Sequence, residues 1–69
     1  MTQKELLYVE DAIGHEQNII NICEETIALL EDEELISFLK SEQKKHKSMN
    51  EKLIKMLEDK SNEWSIING

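Results

Sequence analysis

The chain lacks proline altogether, has one cysteine and one each of Trp, Tyr and Phe, and has two glycines, Gly14 and Gly69. With no proline and a single internal glycine, the composition favours helix throughout. A lone Cys23 excludes an internal disulfide. Its place on an apolar stripe marks it as a packed, reduced thiol, which fits a reducing compartment such as the cytoplasm. No apolar run approaches ~18 residues and the start, Met1-Thr2-Gln3-Lys4-Glu5, is polar, so neither a membrane span nor a signal peptide is expected. The net charge of −7 disfavours a nucleic-acid partner. At 69 residues the chain makes one small domain, and a core of that size rarely supplies more than about 3–5 kcal/mol. Association or a bound metal are the remaining sources of stability.

What is present is helical periodicity. Thr2 followed by Glu5 is a capping box, and predicts helix 1 over about 3–30. Along it Leu6, Val9, Ile13, Glu16, Ile20, Cys23, Ile27 and Leu30 form one stripe, apolar except at Glu16. A second stripe runs through Tyr8, Ala12, His15, Ile19, Ile22, Thr26 and Leu29. A face this wide needs more than one neighbour, as in a bundle. Glu31-Asp32-Glu33-Glu34 breaks the pattern; Asp32 suits an N-cap and the two glutamates suit the positive end of a helix dipole. The expectation is a turn at 31–32, helix 2 over about 33–60, and an apolar tail over 61–69 carrying Trp64, Ile66 and Ile67. That tail folds back over a bundle end, docks a protein partner, or stays disordered. A short turn between equal helices gives an all-α antiparallel hairpin.

Charge is divided between the halves. Residues 1–31 carry seven acids and one lysine, whereas residues 35–60 carry four acids and seven lysines. Opposed charge suits two helices lying side by side, and gives orientation to a dimer. Gly14 is either a neutral surface glycine or a point of close helix approach.

The stripe expected on helix 2 is Leu35, Leu39, Glu42, His46, Met49, Leu53 and Met56, interrupted by Glu42 and His46. In a hairpin Glu16 lies at nearly their level. Two hairpins packed as a four-helix homodimer, with the two-fold axis at mid-height, would gather both copies of Glu16, Glu42 and His46. Four carboxylates and two imidazoles match the ligand count of di-iron and di-manganese carboxylate bundles, and suit iron, manganese or zinc. The alternative is a Glu–His polar layer that sets register without metal. The spacing departs from Glu-x-x-His, because Gln43 stands three residues before His46 and Glu42 stands four before it. Asp11 and His15 repeat the four-residue spacing, as a surface pair or a peripheral second metal site. Other motifs fail. Ile19 occupies the second histidine position of a zincin, there is no phosphate loop, and Lys44-Lys45-His46-Lys47 is a short solvated run.

Glu5-Leu6-Leu7-Tyr8-Val9-Glu10-Asp11-Ala12-Ile13-Gly14-His15-Glu16-Gln17 resembles the opening of short ferritin-like spore coat proteins of the coat protein F type from spore-forming Firmicutes. Asp32-Glu33-Glu34-Leu35 resembles their Asp-Pro-Glu-Leu turn, and Gln43-Lys44-Lys45-His46 is similar to the centre of their second helix. The resemblance spans roughly residues 3–58. It implies a ferritin-like hairpin that self-associates into a four-helix bundle, in the cytoplasm or spore coat, without an established activity. Encapsulated ferritins are similar in plan, making a di-iron site on dimerisation. Gln43 stands where those use glutamate, which argues against ferroxidase activity.

Overall fold

A computed structural model of the chain describes the backbone of residues 1–68 and the side chains of residues 1–60. It is all-helical, with α1 over Gln3–Leu29 and α2 over Glu33–Asn68, and no strand among the described residues. The two helices lie against each other along a body 53 Å long, 16 Å wide and 12 Å deep.

Local chemistry sets the ends. The Glu5 amide donates to Thr2 Oγ1 at 3.0 Å and the Thr2 amide donates to Glu5 Oε1 at 2.8 Å, completing the capping box. α1 stops at Leu29, one residue short of the expected end. Leu30 turns extended (φ −93°, ψ 148°), and its amide donates back to the Ile27 carbonyl. Residues 30–32 therefore make the turn. Asp32 caps α2 as expected, its Oδ1 accepting from the Leu35 amide at 2.9 Å.

The far end of α2 differs from expectation. Ser61-Asn62 does not stop the helix, which continues to Asn68. Serine and asparagine each disfavour helix by only about half a kcal/mol relative to alanine, and no glycine or proline stands between Ser61 and Gly69. The expected break at residue 60 and the non-helical tail are thus replaced by one continuous helix. The docking role considered for Trp64, Ile66 and Ile67 rests on side chains outside the described residues.

On α1 the first stripe faces α2 as expected. Ile20 and Cys23 are buried, and Leu6, Val9, Ile13, Glu16, Ile27 and Leu30 are half-buried. On α2 the helix is turned from the expected setting. The seam is Ile36, Leu39, Gln43, His46, Asn50, Leu53 and Leu57, all buried or half-buried. Leu39, His46 and Leu53 hold their expected places. Leu35, Met49 and Met56 lie outside, at 52%, 44% and 61% exposure. Both settings offer similar apolar ends, so the middle decides. The observed one moves the Glu42 carboxylate to the flank and brings in Gln43, a neutral amide that finds a backbone partner.

The core is slight: the buried residues among those described are Ile20, Cys23 and Asn50, and no side chain is fully enclosed. A Cβ added at Gly14 would meet nothing within 4 Å, so it makes no close approach to α2. No helix among the described residues is long and apolar enough to cross a membrane.

Candidate functional site

The hairpin brings Glu16 and His46 into direct contact at mid-height. His46 Nδ1 donates to Glu16 Oε2 at 2.5 Å, with the side chains 26% and 14% exposed respectively. Each stands on the seam of its helix, so each is aimed at the other by the same period that aims the leucines. A carboxylate accepting from Nδ1 requires the proton on that nitrogen. In a neutral ring the lone pair then sits on Nε2.

Two further polar groups extend this layer along α2. One turn before His46, Gln43 Nε2 donates to the Ile20 carbonyl at 3.1 Å. That carbonyl belongs to the α1 ladder, and the bond ties the two helices at a fixed level. One turn after His46, Asn50 is only 7% exposed, and its Oδ1 has no hydrogen-bond partner. An orphaned buried acceptor costs about 1–3 kcal/mol, a large share of what so small a core supplies. Three consecutive seam positions of α2 are therefore polar.

The other expected ligands lie elsewhere. Glu42 sits on the flank, 32% exposed, with Oε1 taking the Lys45 ammonium at 3.3 Å. His15 is exposed on α1 and pairs with Asp11 at 3.3 Å. Of the four residues named for metal, one copy joins Glu16 with His46 and leaves Glu42 and His15 apart from that contact. Among the described residues no three His, Cys, Asp or Glu side chains converge within a single copy. Gln43 and Asn50 are the members of the layer that the first reading of the stripe missed. Their alternating four- and three-residue steps from Leu39 through His46 to Leu53 are the signal that marks them, once Ile36 rather than Leu35 opens the seam.

One carboxyl is clearly shifted. The Thr2 amide, and then the Thr2 hydroxyl, hold Glu5 below its ordinary value. This belongs to the helix cap and not to the polar layer.

No family model, no curated protein and no solved structure matches the chain.

Proposed function

We propose that the protein is a self-associating structural hairpin whose Glu16–His46 layer fixes the level at which its helices meet. The observation that carries this is an apolar face that the single hairpin leaves exposed. On α1, Tyr8 and Ile22 are 64% and 60% exposed, with Ile19 between them also open to solvent. On α2, Leu35, Phe38, Met49 and Met56 are likewise outside. A single hairpin that buries three of its described residues while presenting these is poorly stabilised by its own core. Covering the face completes a four-helix bundle, which is also what the resemblance over residues 3–58 suggests. Spore-coat assembly is the corresponding role.

Light scattering on the eluting protein tests this: a dimer or larger species is expected at micromolar concentration, and a helical, stable monomer refutes it. Replacing Phe38 with Glu is expected to yield a monomer of reduced helicity.

A second reading, a metal-binding carboxylate bundle, is favoured by the Glu16–His46 contact itself. Carboxylate on Nδ1 is the arrangement that presents Nε2 to a metal, with Glu16 then orienting the ring. A second copy would have to supply the remaining ligands for iron, manganese or zinc. Elemental analysis of protein purified without chelator separates the readings: metal lost on His46→Ala supports the second. No metal, together with a melting temperature unmoved by added manganese or zinc, refutes it.

A further inference from the structure

Most of the exposed apolar residues share one side of the hairpin, Leu7 and Ile54 being on the other. Tyr8, Ala12, Ile19 and Ile22 each immediately precede a seam residue of α1. Leu35, Phe38, Met49 and Met56 each immediately precede a seam residue of α2. One residue back is about 100° around a helix. In an antiparallel pair this turns both sets to the same flank. At the open end Glu5 of α1 and Met56 of α2, each one residue before the seam, line one surface hollow of about 320 Å³ together with the seam residues Val9, Leu53 and Leu57. The opposite flank, made by residues that follow the seam, is mainly polar, carrying Glu10, Gln17 and Glu24 on α1 and Lys40, Lys44 and Lys47 on α2 beside the apolar Leu7 and Ile54. The molecule is a two-helix layer with one apolar side.

We propose that a second copy of the chain covers this side with its turn at the opposite end, so that α1 lies on α1 and α2 on α2 about a two-fold axis at the level of His15 and Lys47. This rests on the self-association reading and adds its orientation and register.

The composition of the two stripes selects the occupant and its direction. The α1 stripe is almost uncharged, whereas the α2 stripe has Glu42, Lys45 and Lys52 between apolar ends. With turns at the same end, α1 would lie on α2 of the other copy, pressing those charges against Tyr8, Ala12 and Ile19. With turns opposed, like meets like. On α2, one midpoint near Lys47 pairs Glu42 with Lys52, Phe38 with Met56 and Lys45 with Met49. On α1, a midpoint near His15 pairs Tyr8 with Ile22 and Ala12 with Ile19. The two midpoints are found independently, yet they lie at one level, because within the hairpin Glu16 meets His46 and Ile20 meets Gln43. A single axis satisfies both, and it passes beside both copies of the Glu16–His46 pair. One acid of α1, Glu5, lies at the end of the covered stripe, and the proposed midpoint sets it opposite Thr26 rather than another acid. Glu10 and Glu24 are on the far flank, and Asp11 and Glu25 are on the back. About 40 Å of α1 across a body 16 Å wide gives a footprint on the order of 600 Å² per copy, at the low end for a specific dimer.

Spin labels test the orientation. In a Cys23→Ala background, a label at Glu31→Cys sits at the turn, some sixteen residues from the axis. Opposed turns place the two labels about 45–50 Å apart, and turns at one end place them within about 25 Å. A dimer with the long distance is expected. A dimer with the short distance overturns the orientation and leaves self-association standing, whereas a monomer overturns both. Charge reversal in the otherwise native chain gives a second arm, should the Cys23→Ala background lose its helicity. Lys52→Glu is expected to weaken the dimer about five- to tenfold, and Glu42→Lys combined with Lys52→Glu to restore it. Failure of the double variant to recover overturns the register.

Discussion

Removing Glu16 and His46 singly and together measures what the polar layer does. Substitute each by leucine, then both. In Glu16→Leu the imidazole loses its acceptor but remains 26% exposed, so water recovers part of the loss and about 1–2 kcal/mol is expected. In His46→Leu the Glu16 carboxylate, 14% exposed, is left facing leucine with no donor. That variant should cost more, about 3 kcal/mol, the lower figure for breaking a buried pair and already discounted for partial exposure. The double variant removes both polar groups and joins positions 16 and 46 to the apolar run of their seams. It should match or exceed the native protein, by up to about 2 kcal/mol.

Such differences are large here. At roughly 4–8 °C per kcal/mol, His46→Leu falls by about 12 °C or more and the double variant recovers it. Urea melts followed by circular dichroism at 222 nm, all at one protein concentration, read the cycle, because association makes apparent stability concentration-dependent. The ordering His46→Leu below Glu16→Leu below the double variant is the expected result. If the single losses simply add in the double variant, Glu16 and His46 do not interact, and the account of the layer is wrong.

Three more outcomes follow from single positions. Asn50→Leu should raise stability by about 1–3 kcal/mol in the same melts, because it removes an acceptor that has no partner; a loss instead means that the amide is satisfied in the assembled protein. Gly14→Ala should stabilise by about 1 kcal/mol, since the added Cβ meets open space and the helix gains propensity, and destabilisation would reveal a second copy packed against that flank. Glu5 has its carboxyl held low by Thr2, so its stabilising effect is complete above the ordinary glutamate value and is lost as pH falls through its folded value. Glu5→Gln should therefore flatten the acid limb of a melting-temperature profile between about pH 5 and pH 3, and an unchanged limb would count against the cap.

How much of this was legible in the chain differs between the helices. α1 could be read closely because its stripe has one polar member. Seven apolar side chains at helical spacing leave the helix one direction to face, and Glu16 is carried inward with them. The turn was legible from Asp32, whose side chain caps α2 as its type requires. α2 was harder because its pattern is ambiguous by one residue: Leu35, Met49 and Met56 compete with Ile36, Asn50 and Leu57 for the same seam, while Leu39, His46 and Leu53 belong to both. Hydrophobicity alone favours the first set, which has methionine where the second has asparagine. What reverses it is partnership: Gln43 gains the Ile20 carbonyl and Glu42 is kept off the seam that Glu16 enters, neither of which a single-helix pattern displays.

The same ambiguity explains why α2 is amphipathic in two directions. The set rejected from the seam is not random surface. Leu35, Phe38, Met49 and Met56 keep a heptad spacing of their own, and a stripe that pays for solvent exposure on a monomer has a use only where something covers it. The two stripes of α2 are then two interfaces, one toward α1 and one toward a further chain. Asn50 and Met49 mark the divide between them: the amide is inside with its oxygen orphaned, and the thioether is outside on the exposed apolar face. Exchanging the pair, Met49→Asn with Asn50→Met, should rotate preference toward a better-packed hairpin that associates less. A melting temperature that rises while the dimer weakens is the expected signature, and a dimer as strong as the native one would show that this stripe is not the contact.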